Sequence, residues 1–118
     1  MRLVLVTALF LAAFSAEASS TMCAFYAPPG TPVPNLEFLG YDKIGGILIQ
    51  DKNGPRSLPQ GSYKVVALDQ SASRIDLTYT NPGDPSLPPS FRLRGAGPDT
   101  TLTVRGKTYK GKLSCGAW

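Results

Sequence analysis

With 118 residues, a formal net charge of +4 and no histidine, the chain has the size of one small domain. The missing imidazole excludes Ser–His and Cys–His nucleophilic catalysis. Two cysteines without any histidine do not make a metal site, and no glycine-rich phosphate loop is present, so no cofactor or metal is expected.

In chain order, residues 1–18 read as a signal peptide. Arg2 supplies the charged start, 3–13 is an apolar run too short to span a bilayer, and Ala16-Glu17-Ala18 fits a small-x-small cleavage pattern. Cleavage after Ala18 would leave a single secreted domain, 19–118; the alternative is an uncleaved anchor. Ser20-Thr21-Met22 before Cys23 is no lipobox, and no second apolar run follows. A soluble chain away from the membrane is therefore expected.

The first strand is read at 21–27, stopped by Pro28-Pro29-Gly30. Residues 36–44 form a second, with Leu36, Phe38 and Gly40 on one face and a bulge or bend at Gly40. Gly45-Gly46 turns the chain into a short strand at 47–50, and a loop runs from Asp51 to Gly61. The segment 63–80 reads as a hairpin around which the rest is organised. Tyr63, Val65 and Ala67 alternate with Lys64, Val66 and Leu68, so both faces are fairly apolar and the strand looks central; Ile75, Leu77 and Tyr79 alternate strictly with polar residues. Four prolines in 81–89 make that stretch a stiff loop. Phe91 and Leu93 mark another strand, and 101–105 with 108–115 make a final hairpin whose inward face carries Tyr109, Gly111, Leu113 and Cys115.

No stretch of 19–118 has helical periodicity. Seven or eight short strands separated by Gly and Pro predict an all-β fold, a small antiparallel β-sandwich or barrel. Cys23 and Cys115 lie at opposite ends, and in a secreted chain one disulfide linking the first and last strands is the simplest expectation. It would close a loop of roughly 90 residues, worth on the order of 4–5 kcal/mol in the chain-entropy model. Two free thiols or an intermolecular bridge are the alternatives.

The positive balance sits in the last third. Arg92, Arg94, Arg105, Lys107, Lys110 and Lys112 face Asp99 alone, whereas 19–89 is nearly neutral. These cations could take nucleic acid, an anionic glycan or an acidic partner, or form a solvated outer face. Phe91 and Tyr109 are read as inward-facing, which argues against base stacking and hence against nucleic acid. Glu37 with one of the aspartates is the one conceivable acid–base pair, which leaves a small secreted hydrolase as the weakest reading. Segment 36–44 carries Phe38, Leu39 and Tyr41 beside Glu37, Asp42 and Lys43; at a sheet edge it could pair with a partner's strand, and otherwise it is an ordinary core strand.

Four short matches, Cys-Ala-Phe-Tyr at 23–26, Tyr-Asp-Lys-Ile-Gly at 41–45, Val-Ala-Leu-Asp-Gln at 66–70 and Arg-Ile-Asp-Leu-Thr at 74–78, give residues 22–82 a pattern that resembles the MAX effectors, the Magnaporthe avirulence and ToxB-like proteins secreted by plant-pathogenic fungi. The resemblance implies a six-stranded sandwich without catalysis that enters host cells and binds a host protein, in some members a heavy-metal-associated domain. By position it implies Tyr41 and Lys43 as partner-binding residues, with Phe38 on the same segment and Met22 nearby. That family ties its first-strand cysteine to one just before the fifth strand, where this chain has none. A second family, the periplasmic inhibitors of c-type lysozyme, is similar in its end-to-end disulfide and faintly in Ser71-Ala72-Ser73 and Arg94-Gly95; the glycine expected after the serine is Arg74. The expectation is a monomeric secreted effector that binds a host plant protein and modulates immunity, with a periplasmic lysozyme inhibitor as the alternative.

Overall fold

The computed structural model describes residues 20–52 and 54–116; the signal peptide expected at 1–18 lies outside them. The strands are β1 (Thr21–Tyr26), β2 (Asn35–Gly40), β3 (Ile44–Asp51), β4 (Gly54–Ser57), β5 (Tyr63–Asp69), β6 (Arg74–Tyr79), β7 (Phe91–Ala96), β8 (Thr100–Val104) and β9 (Lys107–Cys115). A 3-10 turn, Gly97–Asp99, joins β7 to β8. All nine strands belong to one sheet, in the order β4-β3-β2-β1-β9-β8-β7-β6-β5. Each pairing is antiparallel.

Two meanders, β1–β4 and β5–β9, are thus sewn together where β1 pairs with β9. In that ladder Cys23 stands opposite Cys115. The two form the disulfide, with Cα atoms 4.1 Å apart and a sequence separation of 92. The expected link between first and last strands is present, and no free thiol remains.

The sheet curls around one core. Period-two alternation drives this, because each strand turns its apolar side chains to one face. Phe25, Leu36, Phe38, Ile47 and Ile49 from the first meander meet Ile75, Leu77, Tyr79, Leu93, Leu102 and Leu113 from the second. The Tyr79 and Phe91 rings lie 5.0 Å apart between centroids. Glycine is required where β1 crosses β9: a Cβ on Gly111 would meet Phe25 Cζ at 2.5 Å and the Tyr26 carbonyl oxygen at 2.6 Å. The Phe25 ring fills the space a side chain would need.

Several sequence expectations are corrected. The segment 36–44 is not one strand: the chain bends at 41–43 between β2 and β3, and Gly45 and Gly46 lie inside β3 rather than in a turn. A register shift does occur between Leu39 and Gly40. β2 is flanked by β1 and β3, so it has no free edge for a partner's strand. β4 was not anticipated, since Gly-Pro-Arg-Ser has little strand propensity; it forms by pairing with β3. β5 is an edge strand, not a central one, and the hairpin it makes with β6 lies at the border of the sheet rather than at its middle. The described residues form nine strands, against the seven or eight read from the sequence and the six that the resemblance implies.

Candidate functional site

Several connections gather at one end of the sheet. The β2–β3 turn (41–43), the β5–β6 turn (70–73), the approach to β1 and the residue after β9 are cross-linked there by hydrogen bonds. Ser20 Oγ donates to the Tyr41 hydroxyl at 3.0 Å. Gly40 N donates to Ser20 O at 2.9 Å. Gln70 Nε2 donates to Tyr41 O at 2.5 Å. Residues 29 positions apart in sequence are therefore held at one place.

Ser73 ties the β5–β6 turn to its neighbours. It has φ +47°, a left-handed conformation uncommon outside glycine and asparagine. Its hydroxyl accepts from Cys115 N at 3.1 Å, and its carbonyl accepts from Gly97 N at 2.9 Å. The conformation is held by three hydrogen bonds, to β9, to the 3-10 turn and, through its own amide to Gln70 O, within the β5–β6 turn, which is what lets such a residue persist. Within the same turn the Ser71 hydroxyl donates to Asp69 Oδ1 at 2.7 Å. That hydrogen bond, and then the Ala72 amide, hold the Asp69 carboxyl below its ordinary range.

The β2–β3 turn needs glycine at its entry. Gly40 has φ +146°, and a Cβ there would lie 2.1 Å from Lys43 O. The turn folds back so tightly that Lys43's backbone occupies the position, and this swings the Tyr41 and Lys43 side chains outward. Tyr41 is 57% exposed and Lys43 is exposed as well. A depression of about 470 Å³ lies beside them, lined by Ser20, Thr21, Met22, Gly40, Tyr41, Gln70 and Gly116.

The structure therefore separates the residues the sequence singled out. Tyr41 and Lys43 stand on a braced, solvent-facing turn. Phe38 is 0% exposed and Met22 4%; both side chains belong to the core, and Met22 also lines the depression. Exposed Ser71 and Ala72 lie at the same end, joined to the β2–β3 turn through Gln70. Gln70 and Ser73 enter the sequence reading only through family resemblances, and their cross-linking roles were not legible, because a polar residue in a turn carries no sign of which distant backbone it will meet. Glu37 lies on the outer face of β2, where the Thr21 hydroxyl donates to one carboxylate oxygen and Gln50 Nε2 to the other at 3.1 Å. Both oxygens serve to join three strands.

At the opposite end a groove of about 610 Å³ is walled by Pro32, Pro34, Pro88 and Pro89. Arg56 crosses it, donating to Asp51 Oδ2 at 2.8 Å and to Ser86 O at 2.8 Å. Asn81 shapes the proline-rich loop: its Oδ1 accepts from the amides of Gly83 and Asp84. No cluster of three or more metal-ligating side chains occurs among the described residues. Comparison with protein-family models, curated proteins and solved structures finds no match for this chain.

Proposed function

We propose that the chain is a secreted domain that binds another protein through the end formed by the β2–β3 and β5–β6 turns. One observation carries the reading: Tyr41, an exposed aromatic next to a cation, is fixed in place from both its hydroxyl and its carbonyl. Exposed aromatics held rigid lose little conformational entropy on contact and serve well as anchors. The partner class follows from the MAX resemblance, and in that reading the protein is an effector that engages a host plant protein such as a heavy-metal-associated domain, with Tyr41 and Lys43 at the contact.

Calorimetric titration of the oxidised protein with a plant heavy-metal-associated domain tests this. Binding should weaken by at least tenfold, about 1.4 kcal/mol, in Tyr41→Ala and Lys43→Ala at unchanged melting temperature. Binding that both variants leave intact would refute the site.

A second reading rests on the neighbouring turn. Ser71 and Ala72 are exposed at the same end, and the disulfide joins first and last strands, as in the periplasmic inhibitors of c-type lysozyme. A lysozyme turnover assay with the protein in excess separates the two. Inhibition would assign the function to the Ser71–Ala72 turn and remove the effector reading.

A further inference from the structure

Four of the six cations of the last third, Arg92, Arg94, Lys110 and Lys112, become neighbours on one surface. Strand register places Lys64, Thr78, Arg92, Thr103 and Thr108 in one row across β5 to β9. Ala67, Asp76, Arg94, Thr101 and Lys110 form the next row. Lys112 follows Lys110 on the same face of β9 and stands opposite Tyr26 of β1. These positions point outward, since the intervening Leu77, Leu93, Leu102 and Leu113 are buried.

Acids on this face are too few to neutralise it. Asp76 is shared between Arg92 at 3.0 Å and Arg94 at 3.8 Å. Lys110, 67% exposed, reaches only the more exposed Asp99 at 3.4 Å. Lys64 and Lys112 have no ion-pair partner among the described residues. On the first meander the equivalent outer row runs through Ala24, Glu37 and Leu48, with no cation. The positive field therefore ends at β1, where Tyr26 is 45% exposed.

We propose that the outer face of β5–β9 binds an acidic polysaccharide. Its carboxylate or sulfate groups would sit on Arg94, Lys110 and Lys112, and a sugar ring would lie against Tyr26. Three features select this polyanion. Tyr26 at the border is the one aromatic platform of this face, and the two rows carry none between the cations, so successive bases would find no series of rings to stack on. Threonine hydroxyls stand between the cations and match the hydroxyl groups of sugars. Arg94 and Lys110 are two strands apart, about 10 Å at the usual strand spacing; that suits charges recurring once per one or two sugar rings better than the denser charge of a duplex, about one per 1.7 Å of axis.

The test is titration of the purified, oxidised protein with heparin, polygalacturonate, neutral dextran and a single-stranded oligonucleotide of matched charge. The acidic glycans should bind and dextran should not. With about three ionic contacts, counterion release predicts an affinity loss of one to two decades between about 50 and 200 mM salt. Lys110→Glu with Lys112→Glu should weaken binding at least tenfold. Lys52→Glu, in the β3–β4 turn, lowers net charge elsewhere and should leave it unchanged. Tyr26→Ala should weaken binding without altering the salt slope. Arg94→Gln, on an exposed side chain, gives a second reading should the double variant fail to fold. Absence of glycan binding at about 50 mM salt would overturn the proposal, as would an equal response to Lys52→Glu. Tighter binding of the oligonucleotide would convert the face into a nucleic-acid surface.

Discussion

Along β1 and β9 the two meanders share a backbone ladder and a covalent bond; across β4 and β5 they share neither. The first seam pairs Cys23 to Tyr26 with Lys112 to Cys115. At the second, the core is closed by side chains. Leu58, just past β4, is buried to 2% exposure, Arg56 reaches Ser86 O in the loop after β6, and Tyr63, Val65 and Leu68 of β5 are only partly buried against the core. A ladder fixes register residue by residue, whereas side-chain packing fixes only volume. The open borders carry features that disfavour edge pairing: Pro55 removes a donor from β4, and β5 carries Lys64 and a bulge between Val65 and Ala67.

The strongest way to break this contrast is at the covalent seam. Replacing Cys23 and Cys115 together by Ala should lower unfolding free energy by about 4–5 kcal/mol in the chain-entropy model, read from denaturant unfolding of the oxidised protein against the double variant. A loss under about 1 kcal/mol would mean that the ladder alone holds the meanders together. At the other seam, Leu58→Ala should cost about 3 kcal/mol by leaving a cavity, with no change in spectroscopic strand content. A cost near zero would show that the β4–β5 border contributes little to the core.

The smallest effect concerns the second meander alone. A hydrogen bond from Arg92, then the charges of Arg92 and Arg94, hold the Asp76 carboxyl below its ordinary 3.8. A group lowered on folding contributes stability that is complete above its unfolded value and is lost as pH falls through the folded one. Melting temperature should therefore decline below about pH 4, an ordinary carboxylate range. Asp76→Asn should flatten that decline modestly, because the ion pairs are solvent-exposed. Superimposable curves would rule out this contribution.

Much of the fold was legible because period-two alternation is a strong signal where a strand buries one face. Ile75, Leu77 and Tyr79, then Phe91 and Leu93, are all buried as their spacing predicts. Alternation failed where the backbone slips phase. In β5 the bulge makes Tyr63, Val65 and Leu68 face inward and leaves Val66 59% exposed. A reader who assumes regular pleating sees two apolar faces and infers a central strand. β4 was invisible for a different reason, since its conformation is imposed by β3 and not by its own residues. At the candidate site, Tyr41 and Lys43 could be picked out as residue types, yet their exposure could not, because it depends on a turn at 41–43 that the apolar flanks concealed. The link from Gln70 to Tyr41 is tertiary and leaves no local mark.

The strand order also bears on how the chain finds its structure. Seven of the eight ladders join consecutive strands, so each costs only the closure of a short connection. One ladder, β1 with β9, spans almost the whole fold. Each meander can zip from its own turns before the other exists, and the search for the native topology reduces to one docking event between two preformed ribbons. Contact order is then dominated by a single pairing, and an oxidised unfolded chain, with Cys23 already bound to Cys115, begins with that pairing made.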